Sequence, residues 1–420
     1  MTLNSKGVID MNDMKELIAE RIGGAAFSSN DSSFKFERIK RAKRQAILNH
    51  PDMDLIDLGV GEPDGMADHG IIKELYLQAQ KPENRGYADN GIDEFQNAAA
   101  KYMQQVYGVV GLNHHNEILP VMGSKSALAM IPQAFINPHD ITLLTVPGYP
   151  IIGTMTQWLG GEPYELPLYE ENRFLPDLKN IPNDIIKRTK LLYINYPNNP
   201  TGAVATKEFY QDIIQFAKKH NILVVQDAAY AALTFYGEMP LSILSVPGAM
   251  DVCIEIHSLS KAFSMTGWRL GFAVGNQMVI KALASVKDNN DSGQFKAIQH
   301  AGVYALNHPE LTIETNQTYA RRHEKLAVAL QSIGFQVNIP RASFYQYIRI
   351  PKGTSSGTLF LTAEDFSNYL IEHLLISTIP WDDVGNYIRL SVTFIASSKE
   401  QEDVVIDELT KRLQSCNFIF

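Results

Sequence analysis

The chain has 420 residues, 45% of them hydrophobic and 20% charged, the balance of a folded globular protein too long for one hydrophobic core. Its formal net charge of -9 argues against general affinity for nucleic acid or an anionic membrane, and without a long uncharged apolar run or a basic-then-apolar start, neither a membrane span nor secretion is expected. Cys253 and Cys416 are the only cysteines, too few for a disulfide framework and in keeping with a reducing cytoplasm.

The first 35 or so residues, with Gly23-Gly24 and a polar stretch over 28–33, read as an arm that packs away from the main body. From about Ile71 to about Asn307 strand-like and helix-like segments alternate, which predicts a parallel sheet covered by helices, an α/β fold. Strands are expected at 141–146, 190–194, 222–226, 253–256 and 270–274, and helices at 92–106 and 206–220. A charged segment, 311–330, is long enough to bridge domains as a helix. The remainder reads as α+β, with strands at 343–350 and 386–392 and helices at 363–373 and 399–413. This divides the chain into 1–66 (arm and part of a small domain), 67–308 (large domain) and 309–420 (small C-terminal domain).

The most informative stretch is Ser258-Leu259-Ser260-Lys261-Ala262-Phe263-Ser264-Met265-Thr266-Gly267-Trp268-Arg269, set between two apolar strands. A desolvated lysine loses its proton easily and can form a Schiff base with an aldehyde, while serine hydroxyls and an arginine suit a phosphate. An aldehyde and a phosphate on one molecule point to pyridoxal 5'-phosphate. That cofactor needs a carboxylate to keep its ring nitrogen protonated, and Asp227 stands at the carboxyl end of the apolar run 222–226, where open α/β sheets bind ligands. Tyr230, three residues on, and Asn199, in Tyr196-Pro197-Asn198-Asn199-Pro200-Thr201-Gly202, offer donors to the ring oxygen. Gly123-Ser124-Lys125 opens a helical pattern whose first backbone N–H groups suit an anion. Each of these alone has a commoner explanation as turn, cap or solvated charge; together they favour an enzyme. No metal site is expected.

These motifs, with Pro147-Gly148-Tyr149-Pro150 and Tyr387-Ile388-Arg389-Leu390-Ser391, resemble the fold type I, class I and II aminotransferases over nearly the whole chain. The resemblance implies a large domain with a mostly parallel seven-stranded sheet, a smaller α+β domain, and a homodimer with composite active sites. It places Lys261 as cofactor anchor and proton shuttle, Tyr149 stacked on the ring, and Ser124, Lys125, Ser258 and Arg269 around the phosphate. Tyr87 and the N-terminal arm would arrive from the other subunit. Arg389 is assigned to the substrate α-carboxylate, since guanidinium matches a carboxylate bidentately.

A narrower likeness, to the LL-diaminopimelate aminotransferases, rests on 19–24, 36–42, Leu58-Gly59-Val60-Gly61-Glu62-Pro63-Asp64, Gly86-Tyr87-Ala88-Asp89-Asn90-Gly91-Ile92 and Asp291-Ser292-Gly293-Gln294-Phe295. It implies a lysine or peptidoglycan precursor pathway with 2-oxoglutarate as the partner oxo acid. A dicarboxylate enzyme would want a second arginine, and the loop 287–293 has none. The far end of LL-diaminopimelate carries an ammonium and a carboxylate; Asn90, Lys125 and Asn290, with Gly61, Glu62 or Asp89 nearby, are the residues expected to meet them. Use of aspartate, alanine or an aromatic amino acid, or a lyase reaction on the same fold, remains open, because fold and cofactor do not determine reaction type.

Overall fold

A computed structural model describes residues 14–27 and 35–420; the polar 28–33 stretch of the expected arm lies outside them. Seven strands form the central sheet: β1 (Ile118–Val121), β2 (Ile141–Val146), β3 (Glu162–Pro167), β4 (Thr189–Asn195), β5 (Leu223–Asp227), β6 (Cys253–Ser258) and β7 (Gly271–Gly275). Their order is β1-β7-β6-β5-β4-β2-β3. β2 to β6 pair in parallel with their neighbours, and β7 runs antiparallel to both β6 and β1.

The apolar runs become strands because both faces of the sheet are covered. Alternate residues Leu192, Ile194, Val224 and Cys253 enter one core, while Leu191, Tyr193, Val225 and Ile254 enter the other. Helix ends follow local chemistry. The Thr206 side chain accepts from Phe209 N–H and starts Lys207–His220, which stops at Asn221 in the left-handed conformation. That left-handed stop is one that asparagine tolerates better than most residues.

Beyond the long helix Thr312–Ile333, strands β8 (Tyr345–Arg349), β9 (Ile379–Trp381) and β10 (Tyr387–Ser391) form an antiparallel sheet in the order β9-β10-β8. The helices Ala363–Leu374 and Lys399–Gln414 pack with it around a core of their own. Ile56–Asp57 pairs in parallel with Ile376–Ser377, and Ser391 N–H donates to the Leu58 carbonyl at 2.7 Å. These bonds bring 58–62 from the N-terminal part of the chain beside Arg389.

Candidate active site

The parallel strands end on one edge of the sheet, and the loops that leave them carry the candidate residues: Tyr149 after β2, Asn199 after β4, Tyr230 after β5 and Lys261 after β6. Asp227 is the last residue of β5. Because β7 runs the other way, Arg269 precedes its start at the same edge. The result is a cavity of about 700 Å³ lined by Gly61, Ser124, Lys125, Tyr149, Asn199, Asp227, Tyr230, Ser258, Lys261, Arg269 and Arg389. Residues up to 328 positions apart, from Gly61 to Arg389, thus meet as the motifs imply.

Lys261 lies on the short helix Leu259–Ala262, whose start is capped by the Ser258 hydroxyl accepting from Ser260 N–H. Its Nζ donates to the Gly61 carbonyl at 2.6 Å. Burial, with Arg269 and Arg389 nearby, lowers its pKa to about 8, against the opposing pull of Glu62 and Asp227. Asp227 is buried, and that burial pushes its carboxyl up to about 6. The Ala229 N–H, the Tyr193 hydroxyl at 3.3 Å, His257 and Lys261 hold it lower than burial alone would. A carboxylate in such a place is waiting for a cationic or N–H partner.

At the other end, the Arg269 guanidinium packs against Gly123, where any side chain would collide with its Nη2; Gly123 also has φ +81°. The positive φ favours glycine there, and a side chain would also push the guanidinium out of place. The helix Ser124–Phe135 begins at this point, so its first N–H groups and the guanidinium form one anion cradle. Tyr149 has its hydroxyl pKa pushed up to about 12 by burial and by Asp227 and Tyr345, against Arg269.

Arg389 is 3% exposed, which excludes an ordinary ion pair on an exposed strand. It donates to Asn199 Oδ1 at 3.0 Å and to the Gly59 carbonyl at 3.2 Å, and its guanidinium carbon lies 4.0 Å from the centre of the Tyr345 ring. Its Nε has no hydrogen-bond partner, and no carboxylate among the described residues pairs with it. A buried guanidinium without a carboxylate partner is costly, and an anion that reached it would offset that cost. Binding through its oxygen leaves the NH₂ group of Asn199 as the donor.

Tyr87, Asn90 and Asn290 do not line this cavity. Tyr87 is 82% exposed. Asn90 donates to Asp288 at 2.8 Å, and Asn290 donates to the Val286 carbonyl at 2.8 Å, near the end of the helix Gln277–Lys287. Asn290 is thus a helix-end residue in this chain. The two loops that carry these positions are tied together. Ala88 and Asp89 N–H both donate to the Ser292 carbonyl, and buried Lys287 donates to the Asp89 carbonyl and to Asp291, each at 2.6 Å. Gly293, at φ +83°, packs against the Asp89 backbone.

Several residues of the site were not expected from the sequence. Asn195 joins the base of the cavity, donating to the Asp227 carbonyl and accepting from Asn199 N–H, both at 2.8 Å. Tyr345 meets the Tyr230 hydroxyl at 3.1 Å. Ser260, Trp381 and Asp383 also line the cavity. Behind it, buried Arg322 donates to Asp64, to the Val392 and Phe394 carbonyls and to Glu402, clamping the segments that present Gly61 and Arg389. Burial alone would raise the Glu402 carboxyl, but Arg321 and Arg322 pull it down to about 2. Asn195 had a sequence signal in its strand-end position and Ser260 in its place beside Lys261; Tyr345, Trp381 and Asp383 reach the cavity through tertiary packing.

A sheet of this topology, with a lysine and a carboxylate at its carboxyl edge and the buried Arg389 opposite, is the arrangement that the fold type I aminotransferase motifs imply. Residues 53–409 match the aminotransferase class I and II family, and the chain belongs to it, a family of pyridoxal-phosphate-dependent enzymes. It is 54% identical over 415 residues to the LL-diaminopimelate aminotransferase of Methanocaldococcus jannaschii, covering 97% of this chain and 99% of that protein. With the LL-diaminopimelate aminotransferase of Methanococcus maripaludis it shares 49% identity over 412 residues, with coverage of 97% and 99%. Among solved structures, substrate-bound BacF from Bacillus subtilis aligns with a TM-score of 0.83 at 33% identity, over 91% of this chain and 95% of BacF. A Thermus thermophilus aspartate aminotransferase mutant aligns with a TM-score of 0.81 at 26% identity, over 94% and 99%.

Proposed function

We propose that this enzyme transfers an amino group between LL-diaminopimelate and 2-oxoglutarate, using pyridoxal 5'-phosphate held in the cavity at the sheet edge. The observation that carries the substrate is the near full-length 54% identity to an enzyme of that name; the absence of arginine from 287–293 agrees with it. The donor set suits the cofactor: a buried carboxylate for a ring N–H, an amine for an aldehyde, and the Gly123–Arg269 cradle for a phosphate. When bound, the cofactor supplies an electron-accepting ring that stabilises negative charge at the substrate α carbon.

Lys261 is the residue that would attach to the aldehyde carbon and, once displaced by the donor amine, carry the proton to and from the α carbon. Asp227 would hold the proton on the ring nitrogen, and Asn199 and Tyr230 would donate to the ring oxygen. Tyr149 would pack on the ring face. Gly123, Ser124, Lys125, Ser258 and Arg269 would hold the phosphate through donors already in place. Arg389 would orient the donor by its α-carboxylate, leaving its side chain to extend along the rest of the cavity. A pKa near 8 makes Lys261 nucleophilic close to neutrality. The rate at which added pyridoxal phosphate attaches to the cofactor-free protein should rise with pH and level off above about 8. A rate still climbing beyond pH 9 would show an ordinary lysine.

We further propose a homodimer in which Tyr87 serves the partner's cavity. Its exposure, on a loop held rigid by Lys287, supports this reading. Tyr87→Ala and Lys261→Ala variants, each impaired alone, should partly restore activity when mixed and refolded; no restoration would count against shared sites. The division into 1–66, 67–308 and 309–420 is supported in part by a second core built mainly from residues after 309, to which Ile56, Leu58 and 229–235 also contribute. No helix among the described residues is long and apolar enough to cross a membrane, in keeping with a cytoplasmic enzyme.

The substrate is tested with a donor panel of LL- and meso-diaminopimelate, aspartate, alanine, tyrosine and lysine against 2-oxoglutarate. LL-diaminopimelate should give the highest kcat/KM, because a site that pairs both distal groups leaves them unpaired when that centre is inverted. A higher value for aspartate, alanine or tyrosine would replace this substrate and leave the aminotransferase chemistry standing.

A further inference from the structure

Two adjacent acids sit at the turn between β9 and β10, where Trp381 faces Tyr387 across the ladder. They have different surroundings. Asp382 accepts from Ala363 N–H at 2.6 Å and Glu364 N–H at 3.2 Å, capping the first turn of the helix Ala363–Leu374 with both carboxylate oxygens. Asn386, at the far side of the turn, donates to the Leu361 carbonyl at 2.7 Å. The turn is thus anchored on both sides of Asp383. Asp383 itself makes no hydrogen bond or ion pair with any described residue, and it lines the same cavity as Arg389.

The cavity has three carboxylates, at Glu62, Asp227 and Asp383. Asp227 lies at the base on the end of β5 and is engaged by Tyr193 and Ala229. Glu62 follows Gly61, whose carbonyl accepts from Lys261 Nζ at 2.6 Å, so it stands on the side of the cavity that faces the lysine. Asp383, an exposed residue two positions beyond Trp381, is the one left on the wall that carries Arg389. A donor held by Arg389 with its amine toward Lys261 must extend its side chain past the remaining walls, where an apolar ring covers methylenes and a free carboxylate meets a cation. Resting on the diaminopimelate reading above, we infer that Asp383 is a specificity-determining residue, the acceptor for the distal ammonium of the donor. Asp382 and Asn386 anchor the turn on both sides of it, so little loop freedom is lost when the ammonium arrives.

The test compares two donors that differ only in that group, LL-diaminopimelate and L-2-aminopimelate, the latter with hydrogen in place of the distal amine. Asp383→Asn should lower kcat/KM for LL-diaminopimelate by about 10-fold or more while changing that for L-2-aminopimelate by less than about 2-fold. Asp383→Glu, which keeps the charge, should retain most of the discrimination. Equal losses on both donors would mean that Asp383 only shapes the turn, and no loss on either would mean that it does not meet the donor; each result overturns the assignment. Should the wild-type enzyme itself not prefer LL-diaminopimelate over L-2-aminopimelate, the substrate reading fails before any variant is made.

Discussion

Lys261→Ala is expected to reduce transamination by at least roughly 10⁴-fold, because one amine supplies both the covalent anchor and the proton shuttle and no second group replaces it. The fold should be unharmed. In the cofactor-free protein the lysine pKa is lowered from 10.5 to about 8, so below pH 8 the charged amine is held less favourably in the fold than in the unfolded chain. Its removal therefore takes away an unfavourable contribution, one that the wild-type folded state sheds only as pH rises through the window from 8 to 10.5, where the unfolded chain still binds the proton and the folded one does not. The one hydrogen bond lost is to the Gly61 carbonyl. Thermal unfolding at neutral pH should be unchanged or slightly later than wild type. Phosphate affinity should also persist, since Gly123, Ser124 and Arg269 are untouched. Borohydride reduction of the wild-type holoenzyme followed by peptide mapping should place the cofactor on Lys261; a cofactor found on Lys125 or another lysine would reject the assignment.

The central strands and the residues at their ends were legible because two independent signals coincide there. In β4, β5 and β6 an apolar run predicts a doubly covered strand, and the polar residue that ends it is left at the ligand-binding edge. Asp227 follows from that arithmetic, and Asn199 and Lys261 lie in the motifs that leave β4 and β6 at the same edge. The strands that escaped notice, β1 and β3, are the two edges of the sheet. Each contains proline, at Pro120, Pro163 and Pro167, which an edge strand tolerates and a central strand does not; β3 is also mostly exposed, so it lacks an apolar run. Tyr345, Trp381 and Asp383 were invisible for another reason. They come from short strands and a turn near the C-terminus, and long-range ties such as Ile56–Asp57 to Ile376–Ser377 and Ser343 N–H to the Leu233 carbonyl draw their wall over the sheet edge. The two loops that suggested the substrate prove to be one hydrogen-bonded unit around Lys287, a contact over about 200 residues that local pattern does not encode. Asn90 and Asn290 were expected as ligand contacts; within this chain their NH₂ groups donate to Asp288 and to the Val286 carbonyl, away from the cavity, while Asn90 Oδ1 has no partner.

Asp227→Asn is expected to cost roughly 10²-fold or more in kcat, about 3 kcal/mol of transition-state stabilisation. The substitution preserves size and the buried hydrogen bonds to Tyr193 and Ala229 have amide counterparts, so cofactor should still bind. What disappears is the negative charge opposite the ring nitrogen. A neutral amide gives no electrostatic support to a protonated ring, and a ring that is not protonated draws less charge from the α carbon. The pH dependence of binding supplies a second signature. In the cofactor-free protein burial raises the Asp227 carboxyl from 3.8 to about 6, whereas a bound ring N–H favours the ionised form. Binding must then displace a proton at low pH, so wild-type affinity is fully present above about pH 6 and declines as pH falls below it. The asparagine variant has no such proton to displace, and its affinity should be lower above pH 6 and flatter below it. Titration of both proteins with pyridoxal phosphate at pH 5 and pH 8, followed by absorbance, measures this directly. Near wild-type turnover, or the same pH dependence in both proteins, would show that Asp227 is not the partner of the ring nitrogen.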